Sequence, residues 1–341
     1  MPVTLKPLAD QTLVITGGSS GIGLTTARRA ARAGANVVIA SRNEQALSEI
    51  VADLRAEGLN AAHCAVDMAD EDAAERIGAV ADVEFGGFDT WVNAAATSLY
   101  ARLEEVSMAE HRRVFDVGYF GYVQASLYAA KRLAERGGAI INVGSVLSER
   151  AVPVQGTYCA MKHAVMGFTE GLRMELAMDG KPISVTLIKP NGIDTPYPEH
   201  ARNKMDKPAR IPPILYDPEL VAEAICHAAQ HPTRQLVVGG QGLLITQVGN
   251  LLPGLTDVVM EAFMGEGAQS IDTPPEPGAA DNLFEARSDG RERSNQDVFV
   301  RKTSYALQAQ MHPAVTALAA AGGLAAAAAG VVARAAAKNR R

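Results

Sequence analysis

The sequence predicts a doubly wound α/β fold, a parallel seven-stranded sheet with helices on both faces, followed by a C-terminal extension. Three observations carry that expectation. Short β-branched runs alternate with longer helical stretches from Gln11 to about Gly240. The strand runs are nearly continuous apolar stretches, as burial on both faces requires. A glycine-rich turn, Thr16-Gly17-Gly18-Ser19-Ser20-Gly21-Ile22-Gly23, stands between the first strand and the first helix. Glycine lets the chain bend sharply there and approach a pyrophosphate, and the helix N-terminus favours phosphate charge.

Taken in order, Met1–Asp10 carries Lys6 and Asp10 but no apolar run, so a lead into a strand is expected rather than a secretory signal. Strands are expected at Thr12–Thr16, Asn36–Ala40, Ala61–Val66, Thr90–Ala94, Ala139–Val143, Ser184–Lys189 and Leu236–Val238. Helices are expected at Ile22–Ala33, Glu44–Glu57, Met108–Arg136, Thr157–Met178 and Pro218–Gln230. One dinucleotide-binding domain thus covers residues 1–245, and residues 246–264 read as a helical packing segment. Residues 265–312 are rich in Pro, Gly, Asp, Glu and Ser, so they read as a flexible acidic linker. Two pieces within it, Asn282-Leu283-Phe284 and Val298-Phe299-Val300, are apolar enough to dock transiently.

The last segment, 313–341, reads as an Ala-rich helix with a basic end. Ala314–Ala333 is 20 residues without a charge, 11 of them Ala, followed by Arg334, Lys338, Arg340 and Arg341. Such a helix spans about 30 Å, a bilayer core. Alanine is only weakly hydrophobic, however, and the basic end runs against the positive-inside tendency. A membrane-associated tail and a soluble Ala-rich helix both stay open.

Composition narrows the function. A net charge of −6 argues against a general nucleic-acid binder. Cys64, Cys159 and Cys226 are far apart with no CxxC, which points to buried thiols in a reducing, cytoplasmic setting and to no metal site.

About twenty residues beyond the glycine turn stands Ser41-Arg42. An acidic residue there binds the ribose of NAD, whereas Arg accommodates the 2′-phosphate of NADP. Arg42 therefore tilts the cofactor to NADP(H), with NAD(H) as the second choice. Tyr158 and Lys162 fall at i and i+4 on one helical face. A nearby ammonium favours the phenolate, which makes tyrosine a usable acid and base near neutrality.

With these motifs in this order, residues 8 to 245 resemble the short-chain dehydrogenase/reductase family, in its single-domain, Rossmann-like subgroup with TGxxxGxG and YxxxK motifs. The resemblance implies that Ser145, Tyr158 and Lys162 form the catalytic set, with Ser145 orienting the substrate oxygen and Lys162 also binding the nicotinamide ribose. It implies cofactor contacts from Thr16, Gly17, Ser19, Ser20, Gly21, Ile22, Gly23, Ser41 and Arg42. Asp67 matches the position that contacts the adenine amino group, and Asn93 opens the element after the fourth strand. Pro190, Ile193 and Thr195 match the nicotinamide-contacting element. Ser20 stands where many NADP-preferring relatives carry a second basic residue. Gly118 stands where the family often has an Asn that holds a relay water.

The resemblance further implies a lid over the substrate at Pro196 to Asp217. Its four basic residues, Arg202, Lys204, Lys207 and Arg210, either greet an anionic substrate or form a solvated face. Leu147, Val152, Val154 and Tyr197 are expected to make the pocket apolar. The implied activity is interconversion of a carbonyl and a secondary alcohol on a rather apolar small molecule, in a homo-oligomer built through Met108–Arg136 and Thr157–Met178. A non-catalytic nucleotide-binding protein on the same fold, and a membrane-tethered enzyme acting on lipid-like substrates, stand as alternatives.

Overall fold

The computed structural model describes residues 3–274, 279–287 and 290–318. Seven strands form one sheet: β1 (Thr12–Thr16), β2 (Asn36–Ser41), β3 (Ala61–Ala65), β4 (Thr90–Asn93), β5 (Gly138–Val143), β6 (Ile183–Pro190) and β7 (Gln235–Val238). Their order is β7-β6-β5-β4-β1-β2-β3 and every pairing is parallel. The chain runs outward from β1 to β3, then restarts at β4 on the other side of β1. That reversal opens a crevice beyond the carboxyl ends of β1 and β4, where such sheets hold ligands.

Side chains alternate across the strands into two apolar layers. Leu13, Ile15, Val37, Ile39 and Ile141 face α1 (Gly21–Arg32), α2 (Glu44–Ala56) and α8 (Pro218–Ala228). Val14, Val38, Trp91 and Ile140 face the opposite layer, made by α3 (Ala73–Phe85), α5 (Gly121–Leu133) and α6 (Gly156–Met178). All of these strand residues are buried, each contributing about 1.5–3 kcal/mol of transfer free energy. Asn43 caps α2 by accepting the Ala46 N–H at 2.8 Å, and Asp217 caps α8 from the Glu219 N–H at 3.0 Å.

The expected helix 108–136 is continuously helical to Leu133 but carries a π-helical stretch. α4 (Met108–Phe115) passes through a π-helical stretch, Asp116–Phe120, into α5. Gly118 lies in that stretch, where a Cβ would stand 2.8 Å from Met161 Cε. α3 was absent from the sequence expectation. α7 (Tyr197–His200) lies in the lid region, and α9 (Gly240–Leu251) with α10 (Pro253–Phe263) occupies the expected packing segment.

The expectation of a flexible linker at 265–312 is corrected among the described residues. Leu283 is fully buried, Val300–Arg301 pairs with Leu215–Tyr216, and α11 (Tyr305–Met311) buries Leu307 and Met311 in the layer with α8. Composition misled here because order comes from hydrogen bonds and ion pairs to distant residues, not from apolar periodicity. No helix among the described residues is long and apolar enough to cross a membrane. Most of Ala314–Ala333 lies outside the described residues.

Candidate active site

The glycine turn is shaped by close approach. Gly17 has φ +71°, and a Cβ there would stand 2.8 Å from the Ala95 backbone; one on Gly23 would stand 2.2 Å from the Gly17 carbonyl. Only glycine lets β1, the turn and α1 close on one another so tightly. Ser19 to Gly23 then line a cavity of about 600 Å3 that runs across the carboxyl edge of the sheet. Ser41 lines it too, and its buried hydroxyl has no hydrogen-bond partner among the described residues. A glycine cradle that lines the cavity and an unsatisfied buried hydroxyl fit a dinucleotide, whose pyrophosphate and ribose would lie against the one and satisfy the other.

At the far end of that cavity Arg42 and Asp67 stand just beyond the ends of β2 and β3. Asp67 accepts from Arg113 at 2.5 Å and from the Ala69 N–H at 3.0 Å. Burial alone raises its pKa, but these donors and the Arg42 charge outweigh it and hold the carboxyl below the usual range. Arg42 is itself pulled down, first by burial and then by the like charge of Arg113. Its guanidinium donates to the carbonyls of Asn282 at 2.5 Å and Phe284 at 3.1 Å. Sequence reasoning missed Arg113, which carries no local motif and is defined only by its distant partner.

At the other end, Ser145 follows β5, and Tyr158 and Lys162 stand one turn apart on α6; all three line the cavity. Ser145 Oγ accepts from the Leu147 N–H at 3.0 Å, which fixes its direction. Lys162 is buried, donates to the Val143 carbonyl at 2.7 Å, and stands 5.7 Å from the Tyr158 ring centre. Burial lowers its pKa to about 7. Burial raises the Tyr158 phenol above its ordinary value, and the Ser145 hydrogen bond works against that rise. Pro190, Ile193 and Thr195 complete this wall.

Thr16 and Asn93 do not reach the cavity. Thr16 Oγ1 accepts the Ala94 and Ala95 N–H groups at 3.2 and 3.3 Å, tying the turn to the end of β4. Asn93 is buried, donates to Ser126 Oγ and Asn142 Oδ1, and accepts from Trp91 Nε1. Both hold cavity elements from behind. Val152 and Val154 are likewise buried behind the cavity wall, packed with Leu147 and Tyr197, which do line it.

Three of the four basic lid residues carry acidic partners, and Arg210 donates to the Ala268 carbonyl at 3.0 Å. Lys204 and Arg202 bond to Glu110 at 2.8 and 3.2 Å, Arg202 also to Asp281, and Lys207 to Asp272. This pairing speaks against their greeting an anionic substrate. Tyr197 instead forms the lid's inner face: its ring centre lies 5.5 Å from that of Tyr158, and its hydroxyl lies 2.9 Å from Gln155 Oε1. Beside it, Tyr100 lines the cavity with a buried hydroxyl that has no partner among the described residues, a position without any sequence signal.

Comparison with known proteins agrees with this geometry. Residues 11–206 match the family model of the short chain dehydrogenases. The uncharacterized oxidoreductase YxnA of Bacillus subtilis (strain 168) is 43% identical over 321 residues, 93% of this chain and 90% of that protein. A 2,5-dichloro-2,5-cyclohexadiene-1,4-diol dehydrogenase of Sphingobium indicum is 34% identical over 214 residues, 62% of this chain and 82% of that protein. The fold matches the crystal structure of a short chain dehydrogenase/reductase from Burkholderia phymatum in complex with NAD, with a TM-score of 0.66 at 24% identity over 72% of this chain and 94% of that one. Glycine cradle, Tyr–Lys pair and matched sheet agree, and the chain belongs to the short-chain dehydrogenase family, NAD(P)-dependent oxidoreductases that act on alcohol and carbonyl groups.

Proposed function

We propose that this chain is an NADP(H)-preferring oxidoreductase that interconverts a ketone and a secondary alcohol on a rather apolar, ring-bearing small molecule, with Tyr158 as the acid and base. The single cavity running from Arg42 to Tyr158 carries this reading. A bound nicotinamide supplies or accepts the hydride. In the reducing direction Tyr158 donates its proton to the substrate oxygen, while Ser145 orients that oxygen and the Lys162 ammonium stabilises the phenolate left behind. In the oxidising direction the same phenolate takes the hydroxyl proton.

Support for an apolar ring comes from the Tyr100–Tyr197–Tyr158 wall, with ring centres 5.9 and 5.5 Å apart, in a cavity also lined by Leu147, Leu244 and Ile245. The cyclohexadienediol activity of one relative favours the same choice. Arg42 supports NADP(H), since its fork suits a 2′-phosphate.

A panel of cyclic ketones and alcohols followed by NADPH absorbance tests the activity. Tyr158→Phe is expected to lower turnover by about 10²–10⁴-fold while binding NADPH within twofold of wild type; retained turnover overturns the role of Tyr158. Arg42→Asp is expected to reverse the ratio of NADPH to NADH affinities. An unchanged ratio removes Arg42 from cofactor choice.

A further inference from the structure

We propose that residues 281–287 and 290–296 form a strap that completes the dinucleotide site from outside and must detach before the cofactor can exchange. The inference rests on the cofactor occupying the glycine cradle. Beyond the family's core, this segment bonds to nearly every element that surrounds the cradle. At the adenosine end Arg42 grips the Asn282 and Phe284 carbonyls, Arg113 Nε donates to the Leu283 carbonyl at 2.8 Å, and Thr97 Oγ1 donates to Asn282 Oδ1 at 2.8 Å. Leu283 is driven into the core between these anchors and is fully buried.

The strap then crosses the pyrophosphate turn. The Gly21 N–H donates to the Arg291 carbonyl at 2.9 Å, and a Cβ on Gly290 would stand 3.8 Å from the Ser19 carbonyl. Glu292 pairs with Arg28 of α1 at 2.5 Å. At the nicotinamide end Ser294 Oγ donates to Asp194 at 2.5 Å, Arg293 pairs with Asp217 at 2.8 Å, and the Asn295 N–H donates to Glu199 at 2.9 Å. Asn282, Ala286 and Arg287 line the same cavity as the glycine turn. A dinucleotide in that cavity therefore has sheet beneath it and strap above it.

Geometry assigns the strap to retention. Its two ends are bolted to opposite ends of the cradle, one beside Arg42 and one beside Asp194. Each outer ion pair keeps a partly exposed arginine, Arg28 or Arg293, whereas Leu283 is fully buried, so the outer end opens locally while the Leu283 anchor holds. Cofactor release then waits on that opening.

The test reads cofactor binding, not turnover. Displacement of bound NADPH by excess NADP is followed by nucleotide fluorescence in the full-length wild type and in the Arg293→Ala, Ser294→Ala double variant. The variant is expected to release NADPH at least fivefold faster. In parallel, NADPH is expected to slow tryptic cleavage of the wild type after Arg287, Arg291 and Arg293 by at least fivefold, a comparison that decides the matter alone if the variant does not fold. A smaller effect in either measurement overturns the strap. Wild type that binds neither NADPH nor NADH refutes the cofactor reading instead.

Discussion

At the scale of single residues, the site is a balance between two buried groups. Lys162 is 2% exposed and, among the described residues, donates to the Val143 carbonyl alone, so its charge is poorly compensated without a cofactor. Its folded pKa of about 7 lies below the ordinary lysine value of 10.5. The folded state therefore binds fewer protons than the unfolded chain between those limits, and Lys162 reduces stability increasingly as pH falls from 10.5 toward 7. Below that window the penalty is constant. Lys162→Met removes the titration and leaves the Val143 carbonyl to the Tyr122 hydroxyl, which donates to it at 3.2 Å. Its melting temperature relative to wild type is expected to rise as pH is lowered from about 10 to 7, in protein without cofactor; a difference independent of pH refutes the depressed pKa. Helical geometry puts Tyr158 and Lys162 together at i and i+4, and the family resemblance, with Ser145, is what marks the pair as a site. Arg113, Tyr100 and the unsatisfied Ser41 hydroxyl were not legible in the sequence, since each is defined by what stands opposite it across the cavity.

At the scale of elements, the two-layer sheet was legible almost to the residue, because two-sided burial writes itself into the strands as unbroken apolar runs. The π-helical stretch was not. Its position facing Met161 explains how Gly118 is accommodated: an added side chain would have to displace Met161 Cε. The largest departure is the C-terminal region, whose polarity reads as a linker although it carries β-bridges, the strap and α11. Ser304 caps α11 by accepting the Leu307 N–H at 3.3 Å, and Leu307 then enters the α8 layer at 0% exposure. Two buried apolar residues in a seven-residue helix are too sparse a pattern to separate from background. If this element belongs to the core, Leu307→Ala lowers unfolding free energy by about 2–5 kcal/mol, as cavity formation in a core does. Urea denaturation measures it; a change near zero means that α11 detaches without consequence for the domain.

At the scale of the whole molecule, the helical layer of α4, α5 and α6 leaves large apolar side chains in water. Phe120 and Leu127 stand seven residues apart and are 55% and 51% exposed, and Met174 and Met178 on α6 are 57% and 86% exposed. Gly167 and Gly171 share the α6 face with those methionines, and a Cβ on either would meet nothing within 4 Å. A face that offers both projecting apolar groups and room for close backbone approach suits another helix pair better than water. The family resemblance implies the same helices as the subunit contact. A two-fold arrangement makes that face meet its own copy, so a single substitution acts twice across the axis. Leu127 is half-exposed in the single chain, so Leu127→Glu is expected to change the chain's own stability by no more than about 0.5 kcal/mol. In an assembly it places two carboxylates against an apolar surface. Light scattering is therefore expected to show wild type as a dimer or larger and Leu127→Glu as a smaller species with an unchanged far-ultraviolet spectrum. Wild type that scatters as a single chain, or a variant that keeps the wild-type mass, removes these helices as the interface.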